Sequence, residues 1–265
     1  MALSPLLSAY DSVVLDLDGC VWVGEASTPG AAEAVTELRA AGKRLAFLTN
    51  DARRSPEEYV RKLWSLGVQA SLEEVVTVGA ALQHFLAGRE RSNVYVIGSP
   101  AIFRHVADAG HRIVNGTDRA TQADVVVAAG HDELTYRELR VATQAVLGGA
   151  EFIAANRDRT FPREDGLWPG TGAVVAALEY ATERTAEIIG KPEPEIFRTA
   201  LDRLGDGRVL VVGDRIDADL GGAAAAGLDG AIVLTGVASS GQAAAAQDPA
   251  PVAVAADLHT LVVAR

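Results

Sequence analysis

The chain of 265 residues contains a single cysteine, Cys20. No intramolecular disulfide can form, and nothing in the cysteine usage points to secretion. Lysine is nearly as scarce, with Lys43, Lys62 and Lys191 the only three against a large excess of arginine. A lysine beside a motif is therefore less apt to stand there by chance. No apolar run approaches the roughly 18 residues of a membrane span, and the opening residues lack the basic and apolar regions of a signal peptide. A cytoplasmic protein without a membrane partner is expected. Basic clusters are missing too, and the formal net charge is -11. That balance argues against a nucleic-acid polymer as partner, but leaves small anions open, because a local site can oppose the global charge.

Apolar residues make up 49% and charged residues 22%, the balance of an ordinary globular protein. The length suits one large α/β domain, or a core with a smaller second domain. Four short apolar runs stop at a polar residue: Val13-Val14-Leu15 before Asp16, Leu45-Ala46-Phe47-Leu48 before Thr49, Glu187-Ile188-Ile189-Gly190 before Lys191, and Val209-Leu210-Val211-Val212-Gly213 before Asp214. Runs without alternation suit strands buried on both faces, as in a parallel sheet. Helical patterns over residues 31–41, 56–66 and 194–204 each end at a glycine, a usual helix stop. The alternation predicts a doubly wound parallel-sheet α/β core, in which ligands sit beyond the carboxyl ends of the strands. The four closing polar residues would then meet in one crevice. Residues 94–97, 124–128 and 152–155 read as three further strands, with helices near 101–110 and 135–148. They predict a smaller α/β domain over 82–183, inserted into a core of 1–81 and 184–265. The Ala/Gly/Gln-rich tract near Ala238–Ala250 reads as a surface loop or short helix before the last strand.

Asp16-Leu17-Asp18-Gly19 is the sharpest chemical signal. Two carboxylates at a strand end can divide labour, one as nucleophile and the other exchanging protons with a leaving group. The same segment also reads as a solvated turn. Asp214, Asp217 and Asp219 form a second acidic cluster. Magnesium favours a few carboxylates plus water and phosphate oxygens, so Asp16, the Asp18 main-chain carbonyl and Asp214 can supply part of a shell, with Asp219 binding through water or orienting the loop. Asp217 reads as solvent-facing or capping. Thr49, with neighbouring N–H groups, can hold a phosphate oxygen, and Lys191 can offset charge on a phosphoryl group and among crowded carboxylates. Taken singly, Thr49 is equally a helix entry and Lys191 equally a surface residue.

The order of these motifs, Asp-x-Asp-Gly, Thr-Asn, Gly-Lys-Pro-x-Pro and Gly-Asp-x-x-x-x-Asp, resembles the four-motif series of the haloacid dehalogenase superfamily, whose core is Rossmann-like. The insertion after the second motif resembles the cap of the NagD-like, class IIA phosphatases, as do Asn156-Arg157-Asp158, Pro162, Gly166 and Pro169-Gly170-Thr171-Gly172. The resemblance implies that Asp16 attacks phosphorus to give an aspartyl-phosphate, and that Asp18 protonates the leaving group and then activates water. It gives Thr49, Asn50 and Lys191 the phosphoryl oxygens, and makes Asn156 and Asp158 candidate substrate contacts. Asp16, Asp18, Asp214 and Asp219 become the Mg2+ site. A small phosphorylated metabolite as substrate and a homodimer formed through the cap are further implications.

Two positions depart from the family pattern. Asp51 stands where a second Asn is common and reads as a cap of the next helix, and Cys20 reads as a small packing residue. His131, Asp132 and Glu133 either touch substrate or form a plain loop, while Trp22 and Trp168 either wall the crevice or pack. A phosphatase acting on small phosphate monoesters is the leading expectation. A phosphomutase using the same aspartyl-phosphate and a non-catalytic scaffold remain as alternatives.

Overall fold

The structure, a computed structural model, describes residues 3–163 and 165–264, which form two compact units. The first unit takes in described residues up to 49, then 56–76 and 191 onward. Its six-stranded sheet runs in the order Ala253–Ala255, Asp229–Val233, Val209–Gly213, Ser12–Asp16, Arg44–Thr49, Val75–Thr77. The registered pairings among the first five of these strands are all parallel. Register decides which side chains share a face. Val13 lies opposite Leu45 and Leu210, and Leu15 opposite Phe47 and Val212. This row packs on Val35 and Leu38 of the Ala31–Ala40 helix and on Tyr59 and Leu63 of the Pro56–Ser65 helix. The Pro194–Leu204 helix, started by a proline whose missing N–H costs nothing in a first turn, packs against the Arg44–Thr49 strand.

The Ser12–Asp16 strand is the switch point of this sheet. The next core strands in sequence are added on one side of it and Val209–Gly213 on the other. A crevice opens at the carboxyl edge where connections diverge in this way, and Asp16 stands at that edge.

The second unit comprises residues 50–55 and 77–190. Its parallel five-stranded sheet has the order Glu187–Ile188, Glu151–Ala154, Val125–Gly130, Asn93–Gly98, Arg112–Ile113. Tyr95, Ile97, Val126, Ala128 and Phe152 pack in one cluster with Val141, Val146, Val175 and Leu178 from the Tyr136–Leu147 and Thr171–Thr182 helices. An antiparallel hairpin, Thr160–Arg163 with Gly166–Pro169, completes the unit.

One sequence reading is corrected. Residues 187–190 do not form a core strand: Glu187 and Ile188 pair with Ile153 and Ala154 at the edge of the second sheet, and only Lys191 begins the return to the first unit. A two-residue edge strand and a buried central strand leave the same short apolar signature before a lysine. The two compact units change over at 76/77 and 190/191, with 50–55 belonging to the second. The Val78–Ala87 helix packs on the Pro100–Asp108 helix within the second unit.

The Tyr136–Leu147 helix is entered through a reciprocal cap. Thr135 Oγ1 accepts the Glu138 N–H at 3.3 Å, and the Thr135 N–H donates to Glu138 Oε2 at 2.8 Å. Thr135→Ala is expected to cost about 1 kcal/mol in chemical denaturation. A loss below a few tenths of a kcal/mol contradicts this account of the helix start.

Candidate active site

Asp16 is the last residue of its strand and is buried. Beyond it the chain folds into a tight loop, where the N–H groups of Val21 and Trp22 both donate to the Leu17 carbonyl and that of Gly19 donates to the Trp22 carbonyl at 2.7 Å. Gly19 has a φ of 89°, left-handed backbone that disfavours any side chain. A Cβ there would also overlap the Asp214 carboxylate, and so would one at Gly236. Asp214 follows its strand directly, and its Oδ2 accepts the Val237 N–H at 2.6 Å. The next residues form a wide π-type turn, Ile216–Leu220, in which the Leu220 N–H reaches back to the Arg215 carbonyl. Such turns recur at functional sites. This one places Asp219 in the interior, where Oδ2 accepts the Arg215 N–H at 3.0 Å.

Lys191 joins the pieces. Its ammonium donates to Asp16 Oδ1 and, at 2.7 Å, to Asp219 Oδ1, with all three side chains almost wholly buried. Carboxylate oxygens of Asp16, Asp214 and Asp219 lie within 4.8 Å of one another. Burial would by itself lower the Lys191 pKa, but the charges of Asp16 and Asp219 outweigh it and hold the ammonium above the ordinary lysine range. Burial pushes the Asp16 carboxyl well above the usual carboxylate range; Lys191 opposes the shift, while Asp219 and Asp214 add to it. Burial likewise pushes Asp214 up to about 6. Three buried carboxylates around one ammonium leave excess negative charge, which protons or a divalent cation must balance. Asp214 Oδ1 is buried without a hydrogen-bond partner among the described residues. A lone oxygen of this kind within a carboxylate triad fits a hard cation such as magnesium.

Asp18 is outside the triad. Its carboxylate is exposed, and Oδ1 accepts the Trp22 Nε1–H at 2.8 Å. Only its main-chain carbonyl is left for the metal role read from the sequence. Thr49 closes the neighbouring strand and is buried. Asn50, Asn156 and Asp158 lie together in the second unit. Asn156 Nδ2 donates to the Asn50 carbonyl at 2.7 Å, Asn156 Oδ1 accepts the Asp158 N–H at 3.0 Å, and Asn50 Nδ2 approaches Asp158 Oδ2 at 3.4 Å. The Asn156 amide is thus engaged by main chain on both sides.

Other positions singled out in the sequence find local partners. Asp51 accepts the Arg53 N–H at 3.0 Å and pairs with the Arg53 guanidinium at 2.6 Å, the local turn that an Asp two residues before an N–H favours. Asp217 is exposed and pairs with Arg215. His131 Nε2 meets Glu138 Oε1 at 2.9 Å. Cys20 is a buried packing residue, with its thiol pushed well up by burial and then by the Asp16, Asp219 and Asp214 carboxylates. Trp22 is buried, whereas Trp168 is partly exposed, donates to Asp165 and tilts against Phe161. The loop carrying Gly236 and Val237 was missed in the sequence. It serves the site through the Val237 N–H, the missing Cβ of Gly236 and the Thr235 hydroxyl, which donates to the Gly19 carbonyl.

Comparison with known proteins agrees with this geometry. A haloacid dehalogenase-like hydrolase family model matches residues 13–112, and a second, HAD-hydrolase-like model matches 188–261. D-glycerol 3-phosphate phosphatase of Mycobacterium tuberculosis is 39% identical over 256 residues, 95% of this chain and 71% of that protein. A crystal structure of the M. tuberculosis glycerol phosphate phosphatase with magnesium superposes with a TM-score of 0.88 at 37% identity, covering 98% of this chain and 79% of that one. Acid sugar phosphatase of Staphylococcus aureus is 33% identical over 234 residues, 87% of this chain and 89% of that protein. NagD from E. coli superposes with a TM-score of 0.86 at 27% identity, covering 94% of this chain and 96% of that one. Fold and site together define a hydrolase of the doubly wound α/β class with a carboxylate–lysine centre. The chain belongs to the haloacid dehalogenase-like hydrolases, and within them it is a NagD-like phosphatase. No helix among the described residues is long and apolar enough to cross a membrane.

Asp214 must be ionised to ligate a cation. With its pKa raised to about 6 in the folded chain, Mg2+ affinity is expected to fall as the pH drops through that value, because protons then compete for the carboxylate. Calorimetric titrations between roughly pH 5 and pH 7.5 check this, and a flat affinity over that range contradicts it.

Proposed function

We propose that this phosphatase hydrolyses small phosphate monoesters through an aspartyl-phosphate formed on Asp16, with Mg2+ held by Asp16, Asp214, Asp219 and the Asp18 main-chain carbonyl. The observation that carries the reading is the buried Asp16–Asp214–Asp219 triad around Lys191, with Asp214 Oδ1 buried and without a hydrogen-bond partner among the described residues. When bound, the cation supplies charge neutralisation and orients the phosphoryl group.

The chain's own residues account for the rest. Lys191 holds the Asp16 carboxylate and offers positive charge where phosphoryl oxygens gain negative charge. One Asp16 oxygen forms a bond to phosphorus as the ester P–O bond breaks, and Asp18 gives its proton to the departing oxygen. Water then attacks the same phosphorus while Asp18 takes up its proton, so that phosphate leaves and Asp16 is regenerated. The exposure of Asp18 and its separation from the triad suit that exchange. Thr49 and Asn50 hold phosphoryl oxygens through the hydroxyl and N–H groups. Asn156 fixes the Asn50 main chain, and Asp158 approaches its side-chain amide, so this pair sets how Asn50 is presented. Glycerol phosphate and sugar phosphates, named for the relatives, are the first substrates to test.

Phosphate release from a panel of phosphorylated metabolites, with Mg2+ and with a chelator, tests the reading. Asp16→Asn is expected to lower kcat by about a thousandfold or more, since covalent catalysis is then lost. Turnover within roughly tenfold of wild type in that variant would put the nucleophile elsewhere.

A further inference from the structure

An exposed aspartate that must pass a proton to a leaving group needs to be held, because proton transfer requires the carboxyl within hydrogen-bond reach of the reacting oxygen. Among the described residues the Asp18 carboxylate has one side-chain donor, the Trp22 indole Nε1–H at 2.8 Å on Oδ1. Trp22 is itself immobilised. It is fully buried, lies in the short hairpin Trp22–Val23 with Ala26–Ser27, and stacks on Tyr59 with ring centroids 6.2 Å apart and planes within 6°. The Lys62 ammonium sits 4.6 Å from the indole centroid and is tethered to the hairpin turn by the Gly24 carbonyl at 2.7 Å and by Glu25 at 3.2 Å. A cation over the π face polarises the indole, so its N–H carries more positive charge and donates more strongly. Lys62 is one of only three lysines in the chain, and it lies on this ring.

We propose that Trp22 is a positioning residue for Asp18, its indole N–H fixing Oδ1 so that Oδ2 faces the leaving oxygen of the substrate, with Tyr59 and Lys62 setting the indole plane. The inference rests on the acid–base role given to Asp18 above. Trp22 makes no bond to substrate in this scheme and acts only through the carboxylate it holds. The loop main chain brings the two residues together, since Val21 and Trp22 both donate to Leu17 and Gly19 donates back to Trp22. The indole N–H is then the part of the tryptophan that packing alone does not require.

The test uses Trp22→Phe, which keeps an aromatic ring for Tyr59 and Lys62 and removes the donor. Its kcat/KM is measured with an alkyl phosphate and with p-nitrophenyl phosphate, whose stable leaving group needs little protonation. Loss of positioning is expected to lower the alkyl ester kcat/KM by about tenfold or more and the aryl ester kcat/KM by less than about threefold, because kcat/KM reports the steps up to leaving-group departure and not the shared hydrolysis of the aspartyl-phosphate. Asp18→Asn, run in parallel, should discriminate in the same sense with a larger loss. Equal losses on both esters, or none, in Trp22→Phe while Asp18→Asn discriminates would overturn the positioning role alone. An Asp18→Asn enzyme that treats both esters alike would overturn the acid–base reading beneath it. If Trp22→Phe folds poorly, 3-benzothienylalanine at position 22 keeps the bicyclic shape without the N–H, and the same two outcomes decide.

Discussion

One ammonium between two buried carboxylates organises the centre of this protein. Lys191 comes from the point where the chain re-enters the first unit, Asp16 from the central strand 175 positions away, and Asp219 from a wide helical turn 28 positions further on. Taking such charges out of water costs several kcal/mol each unless they are paired in good geometry. The pairing meets only part of that cost, because Asp214 adds a third carboxylate with one oxygen unsatisfied among the described residues. An imbalance of this kind is poor design for stability and good design for binding a cation and a phosphoryl group. Functional sites commonly carry strain that the rest of the fold supports.

The surrounding fold supplies that support through backbone more than side chains. The switch in strand order puts Asp16 at the carboxyl edge of the sheet, and Gly19 and Gly236 leave room for the Asp214 carboxylate. The N–H groups of Val237 and Arg215 then fix Asp214 and Asp219. These main-chain donors need no further ordering when the site fills, which is the sense in which it is preorganised. The second unit repeats the parallel α/β plan around its own core. Its Asn50–Asn156–Asp158 cluster is a separate arrangement of main-chain and amide bonds.

Much of this was legible in the sequence for one physical reason. Parallel strands buried on both faces show as unbroken apolar runs, and the polar residue that ends each run marks the ligand edge of the sheet. Asp16, Thr49 and Asp214 were visible on that basis, and Lys191 was placed in the site although the strand assigned before it belongs to the other sheet. What remained hidden depends on loop geometry. The loop at Thr235, Gly236 and Val237 contributes a hydroxyl to the Gly19 carbonyl, an N–H and a missing Cβ, and their convergence on the site shows in no residue pattern. Trp22 reads as packing because its burial is real, and its bond to Asp18 depends on a loop geometry that spacing does not encode. Asp51, which reads as a helix cap because Asp favours helix starts, also bonds the nearer Arg53 N–H and guanidinium.

The central claim is that Asp16 is the group that receives phosphorus and that it shares a cation with Asp214. The most direct measurement is a crystal structure of the protein with Mg2+ and beryllofluoride, which mimics a phosphoryl group on a carboxylate. The account predicts beryllium bonded to an Asp16 oxygen, Lys191 on a fluorine, and Mg2+ contacting both Asp16 and the now-satisfied Asp214 Oδ1. Beryllofluoride bound away from Asp16, or Mg2+ bound without Asp214, would contradict it.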